Sequence, residues 1–356
     1  MTMTSPRATQ KDVARISGFD QSTVSMALRN HPRIPEETRS AIQKVAQTLG
    51  YSPDPMLAGL AAYRNHQRPT TFHGTLAWFV NGRKDFAWET SPHFHSYFVG
   101  AQKQAKSLGY QIEVFDLSAL AISKKRLASI FRARNIRGLL VCPQPEPLTE
   151  LAFEWEDFSA ITFGYSLAKP ELHTIATSYF TNTLLIMRQL IAHGYRRIVY
   201  CNPRKQDERL GFNCAAGYVI ENFLANEKLH PPLFVELPTS PKNIRSWYTR
   251  YKPDAIVTCD LYSADSIRKA GIAVPRKLGV VCPDLPLPDS PISGAYVDCV
   301  RMGEVAATLL IDMLQRGERG VPTRTLRTLV EGIWNPGTTI RKQESLSVRK
   351  LAKRKS

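Results

Sequence analysis

A chain of 356 residues has room for two or three domains, and 43% hydrophobic residues is enough to fill their cores. The net charge of +16 favours a polyanionic partner, nucleic acid first and an anionic membrane surface second, although a basic surface also serves solubility alone. No apolar run approaches the roughly 20 residues of a membrane span. The N-terminus is polar and lacks a secretory stretch, so the expectation is a cytoplasmic chain with no membrane partner and reduced cysteines.

The first elements are short helices. Thr9 followed by Asp12 has the form of a capping box, and Val13, Ala14 and Ile16 supply apolar surface before Gly18 permits a tight turn. Asp20 suits the cap of a second helix, in which Val24, Ala27 and Leu28 follow helical spacing. The other face of that helix is small and polar: Gln21, Ser22, Thr23 and Ser25. Pro35, Glu36 and Glu37 suit the start of a third helix, whose stripe is Ile42, Val45, Ala46 and Leu49 and whose end is Gly50. Three short helices with a polar second helix facing outward form a helix-turn-helix layout. Spacing alone leaves an ordinary three-helix subdomain open.

The residues go further than the spacing. "TQKDVARISGFDQSTVSMALRN" and "RIPEETRSAIQKVAQTLGYSPD" closely resemble the DNA-binding headpiece of the lactose-repressor (LacI/GalR) family of bacterial transcription regulators, across Thr9 to Pro53. The resemblance implies that Gln21, Ser22 and Met26 meet base edges in the major groove. It implies that Thr9, Thr23, Ser25 and Arg33 hold phosphates. Gln can pair with adenine through two bonds, and hydroxyls suit phosphate oxygens. Met26 departs from the Arg often found there, so apolar contact, as with a thymine methyl, replaces donation to guanine.

The next segment, "PDPMLAGLAAYR", matches the family's hinge helix, which folds on DNA and wedges a Leu from each subunit into the minor groove; Leu60 matches that Leu. Asp54 departs from the pattern, because an acid beside phosphates is unfavourable. A simple linker is the plainer reading of the hinge, and "NHQRPTT" reads as linker in either case.

From Gly74 onward, strand-like runs alternate with helical stretches. "GTLAWFVN", "YQIEVFDL", "IRGLLVCP" and "SAITFGYS" form one series; "RRIVYCNP", "DAIVTCD" and "KLGVVCPD" form a second. Between them lie helices such as Phe94 to Leu108 and Thr181 to Ala192. Alternation of this kind implies an α/β architecture with parallel sheets, and two series imply two lobes. "AGIAVPRKLGVVCPD", "MGEVAATLLIDML" and "LVEGIWNPGTTIR" resemble the closing segments of the family's effector domain, a periplasmic-binding-protein-like fold that binds a small molecule between its lobes.

Within that resemblance Asp284 matches an Asp that holds sugar hydroxyls, while Cys142, Gly164, Cys214 and Cys259 occupy the approximate places of the usual polar partners. The usual Arg is out of register, and Arg209 substitutes for it after a small shift. Trp88, His93, Phe94 and Tyr97 gather near the mouth of the first lobe, where aromatic rings stack on a sugar or pack as plain core. Cys142, Cys201, Cys259 and Cys282 each end an expected strand; small hydrophobes are the plainer reading, and a thiol-lined metal or redox sensor is the sharper one. His93 and His95 as a metal pair lack a third ligand, so no metal and no cofactor are expected.

The expected organisation is a headpiece over 7–53, a hinge helix and linker over 54–71, a two-lobed effector-binding and dimerisation domain over 72–340 and a basic tail over 341–356. The tail is either a non-specific DNA contact or a solvated extension, and it has no Leu heptad to build a tetramer. The functional expectation is a homodimeric regulator, a repressor, that binds a palindromic operator in double-stranded DNA and answers to a small effector, with a carbohydrate among the candidates. A small-molecule-binding protein without gene control is the alternative. No phosphate-binding Gly loop or nucleophile elbow supports an enzyme.

Overall fold

The structure is a computed structural model that describes residues 8–28, 34–51, 72–82, 87–120, 122–225 and 229–341. Arg33, Asp54, Leu60 with the rest of the expected hinge, and the basic tail beyond Arg341 lie outside the described residues.

The headpiece has three helices, α1 (Gln10–Ser17), α2 (Gln21–Leu28) and α3 (Glu36–Thr48). Thr9 caps α1 with both halves of the box: its Oγ1 accepts from the Asp12 N–H, and its own N–H donates to Asp12 Oδ2 at 2.9 Å. Gly18 ends α1 at φ 74°, a left-handed conformation that a side chain would strain. Val13, Val24, Ala27, Ile42 and Ala46 close the core, and Arg39 fastens the approach to α3 by donating to the Ile34 carbonyl at 2.9 Å. The inward stripe of α1 runs through Val13 and Ala14. Ile16 instead stands 53% exposed, because it lies 200° around the helix from Ala14.

The first lobe is a six-stranded, wholly parallel sheet in the order β12-β7-β5-β3-β1-β2. Its strands are β1 (Gly74–Val80), β2 (Tyr110–Asp116), β3 (Gly138–Val141), β5 (Ser159–Phe163), β7 (His173–Thr177) and β12 (Arg327–Val330); β4 (Thr149–Glu150) and β6 (Leu167–Lys169) pair separately. Both faces are covered, which is why β1 is apolar from Leu76 to Val80. Leu76, Trp78 and Val80 enter one core, and Ala77 and Phe79 the other. The second lobe orders β13 (Ile333–Asn335), β11 (Ser293–Tyr296), β10 (Gly279–Leu285), β9 (Ala255–Val257) and β8 (Ile198–Tyr200), with β13 antiparallel.

The flanking helices are α4 (Pro92–Ser107), α5 (Leu117–Leu120), α6 (Lys124–Ala133), α7 (Tyr179–Ala192), α8 (Arg204–Arg209), α9 (Asn213–Ala225), α10 (Pro241–Tyr251), α11 (Ser263–Lys269) and α12 (Cys299–Arg316). The chain crosses between lobes from β7 to α7, from β11 to α12 and from β12 to β13. On the first lobe α4 and α12 touch backbone to backbone. A Cβ on Gly100 would lie 1.8 Å from the Val300 carbonyl oxygen, and one on Gly303 2.0 Å from that of Tyr97. The segments after β3 and β8 and the end of β10 meet across a cleft between the lobes, where Arg209 bonds Gln144 and His93 bonds Asp284.

Candidate functional site

Two surfaces collect the residues singled out in the sequence. On the headpiece, Gln21 and Ser22 are exposed at the start of α2, and Thr23, Ser25 and Met26 are half-buried. Met26 packs against the headpiece core, so only part of its side chain is presented outward. Thr9 is exposed, but its hydroxyl donates to Asp12 Oδ2 at 2.7 Å, and holding a phosphate requires that proton to change partners. The bonds from Thr9 hold the Asp12 carboxyl below its usual range. Sequence reasoning passed over Lys11 and Arg15, which line one concave strip with Phe19, Gln21 and Thr23. Their four-residue spacing on α1, away from Val13, was the available signal.

The second surface is the cleft. His93, near the start of α4, reaches Asp284 at the end of β10, with Nε2 3.1 Å from Oδ2 and 3.2 Å from the Asp284 carbonyl oxygen. Burial disfavours the imidazolium, yet the charge and hydrogen bonds of Asp284 outweigh it and raise the pKa above the ordinary 6.5. Asp284 Oδ1 is buried with no hydrogen-bond partner among the described residues, so a carboxylate oxygen is left wanting a donor.

Arg209, the last residue of α8, crosses the cleft in the other direction. Its Nη1 donates to the carbonyls of Gln144 at 2.5 Å and Pro145 at 3.1 Å, and its guanidinium lies 5.5 Å from the Phe94 ring centre. Burial lowers its pKa, with charged-form support from groups around it too weak to reverse the direction. Lys205 on the same helix pairs with Glu146 at 2.5 Å. Gln144 is held for this purpose by Asn81, whose Nδ2 donates to its Oε1 at 2.9 Å, and by the Ser166 hydroxyl, which accepts from its N–H.

Three pairs of side chains therefore draw the lobes together, and His93, Phe94, Arg209 and Asp284 meet in one place. Trp88 does not join them. It is 3% exposed, 5.6 Å from Trp78 and 5.2 Å from Phe98 between ring centres, because the Trp88–Thr90 turn folds it under α4 into the first-lobe core. Of the two readings offered for Trp88, the structure places its ring in the core and away from the effector residues. Tyr97 is buried as well, stacked on Phe163 at 4.9 Å.

The thiols divide. Cys201 is core, and Cys142 is buried with its pKa pushed up by that burial. Cys282 Sγ accepts from the Asp284 N–H. Cys259 is half-buried, 3.9 Å from Cys214. His95 is exposed while His93 points into the cleft, which splits that pair. No group of three or more His, Cys, Asp or Glu suited to a metal occurs among the described residues.

Comparison with known proteins follows the same division. A family model described as bacterial regulatory proteins, lacI family, matches residues 9–54, and one described as a periplasmic binding protein-like domain matches residues 187–333. The HTH-type transcriptional repressor CytR of Escherichia coli (strain K12) is 23% identical over 333 residues, covering 90% of this chain and 93% of that protein. Among solved structures, a complex of the transcriptional regulator CelR with cellobiose has a TM-score of 0.56 at 17% identity, covering 94% of this chain and all of the other. The lac repressor dimer bound to operator and the anti-inducer ONPF has a TM-score of 0.54 at 16% identity, covering 94% and 99%. At these identities the structures carry the fold alone.

Proposed function

We propose that the chain is a member of the lacI family of bacterial regulatory proteins and a cytoplasmic, sequence-specific transcriptional repressor that binds a palindromic operator as a homodimer under the control of a small ligand. The observation that carries this reading is the outward face of α2, where Gln21 and Ser22 stand exposed on a helix whose other side is locked into the headpiece core. Gln21, Ser22 and Met26 read base edges. Thr23, Ser25 and Arg33 hold the phosphates, joined by Thr9 when its proton leaves Asp12, and Leu60 wedges the minor groove. Residues 7–53 form the headpiece, 54–71 the hinge and linker, 72–340 the two-lobed domain and 341–356 the basic tail.

The homodimer reading draws on α9. Val219, Ile220, Phe223 and Leu224 form an exposed apolar stripe at helical spacing, with Phe223 79% exposed, and a second copy of the chain would cover it. The effector lies between the lobes, at His93, Phe94, Arg209 and Asp284. A carbohydrate suits the cleft, and CelR forms a complex with cellobiose: a hydroxyl would satisfy Asp284 Oδ1, and the other donors of the Arg209 guanidinium would take ring or hydroxyl oxygens. Such a ligand enters by replacing protein–protein bonds, Arg209 to Gln144 and His93 to Asp284, so its binding alters how the lobes are held. No catalytic step belongs to this reading.

The test retains sheared genomic DNA on the full chain at near-physiological salt and sequences it. Discrete enriched sites that vanish for a Gln21→Ala/Ser22→Ala variant support the reading. Uniform coverage that both proteins share overturns it.

A further inference from the structure

The floor of the cleft holds two thiols in contact. Cys214 lies in the first turn of α9 and Cys259 two residues beyond β9; their sulfurs are 3.9 Å apart although 45 residues separate them. Both are free, Cys214 buried and Cys259 half-buried. Asn202 fixes Cys259 from two sides: its Oδ1 accepts from the Cys259 N–H at 2.7 Å, and its Nδ2 donates toward the sulfur at 3.3 Å. Asn202 also donates to the Tyr200 hydroxyl at 2.8 Å, and that hydroxyl makes a short bond to the buried carboxylate of Asp207. Packing of two small hydrophobes needs none of this orientation.

We propose that Cys214 and Cys259 are a redox-active dithiol which a hydroperoxide converts to a disulfide within the cleft. Cys259, the less buried of the two residues, attacks the peroxide oxygen as thiolate. The O–O bond breaks, the leaving alkoxide takes up a proton as alcohol, and Cys259 becomes a sulfenic acid. The two Asn202 contacts hold the Cys259 sulfur in place for that step. Cys214 then attacks the sulfenic sulfur; the S–S bond forms, the S–O bond breaks, and the hydroxyl leaves as water with the Cys214 proton. Two thiols and one hydroperoxide give one disulfide, one alcohol and one water. Burial pushes the Cys214 thiol well above its usual range, with the neighbouring Cys259 adding to the effect, so Cys214 serves as the second sulfur and not the first.

Closing the gap from 3.9 Å to a bond length of about 2 Å draws the first turn of α9 toward the end of β9. That turn follows Arg209 by only a few residues, through Gly211 and Phe212, both at positive φ. The bond therefore pulls on the segment that carries the cross-lobe contacts. The inference concerns regulation of the site proposed above, but the chemistry is measured without DNA or effector.

The experiment treats the full chain with hydrogen peroxide, quenches it, and follows free thiols and intact mass, with peptide mapping of the products. The expected result is loss of two of the six thiols, a mass lower by two hydrogens, a Cys214–Cys259 linked peptide, and full reversal by dithiothreitol. In a Cys214→Ser variant, dimedone should trap the sulfenic acid on Cys259. Retention of all six thiols, a link between other cysteines, or Cys259 driven to sulfinic acid with no linked peptide in the unmutated chain would each overturn the proposal, and none depends on the variant folding.

Discussion

In the headpiece, Gln21 and Ser22 stand in solvent on α2 while the apolar side of the same helix is shut into the core. In the cleft, Asp284 is buried, Arg209 is half-buried, and both are bonded to the opposite lobe. The first surface is presented ready to meet a partner. The second meets its own chain, and any ligand has to compete with those bonds. The contrast follows from chain distance. The headpiece surface is set by packing among three helices between Val13 and Ala46, whereas His93 and Asp284 are 191 residues apart and meet only when both lobes are formed.

The largest effect is expected where the long-range plan is tightest. Gly303→Ala puts a methyl 2.0 Å from the Tyr97 carbonyl oxygen, so α4 and α12 must separate. A loss of about 3 kcal/mol or more is expected in chemical denaturation of the two-lobed domain, with the headpiece signal unchanged. Native stability in this variant would break the comparison. Ile42→Ala is the converse experiment. Emptying the fully buried Ile42 site should cost about 3 kcal/mol, enough to unfold so small a core, and duplex binding should disappear while the lobes unfold at their usual denaturant concentration.

A smaller change sharpens the recognition side. On the proposed reading, Gln21→Ala removes a base-contacting side chain without touching the core, and should cost about 1–3 kcal/mol of discrimination at one base-pair position. Anisotropy titrations with single-base variants of the site would show it as relaxed preference at that position alone.

The smallest effect is expected from pH. His93 has its pKa raised, so the pair with Asp284 contributes fully below about pH 6.5 and is lost as pH rises through the folded-state value. Asp284 and Arg209 are the charged groups facing it, and they act in opposite directions. Scattering measurements across this range should show lobes that open slightly as pH rises, and His93→Gln should flatten the profile.

Much of this was readable in the chain, and the unread parts share a physical cause. The Thr9–Asp12 box, the Gly18 turn and the inward positions of α2 and α3 depend on spacing within a few residues. Even there Ile16 misled, since counting apolar residues does not fix the rotation of a two-turn helix. The seven apolar runs became β1, β2, β3, β5, β8, β9 and β10. The edge and crossover strands β7, β11, β12 and β13 were not identified as strands, because three to five residues such as "SGAY" or "IWN" carry too little pattern. In the cleft, Asp284 came from the family resemblance and Arg209 from a shift of register, but no local rule names Gln144 or Glu146 as what α8 reaches. Trp88 and His93 are five residues apart; the turn between them sends one to the core and the other to the cleft. Cys214 and Cys259 were each visible as departures from the family pattern, and only the fold makes them neighbours.

The central claim is that the outward face of α2 reads DNA as half of a symmetric pair. Selection from random duplexes by the full chain at near-physiological salt, followed by sequencing, tests it most directly. The account predicts two inverted half-sites around a centre rich in flexible pyrimidine–purine steps. Retention that falls with salt and yields no motif would contradict it.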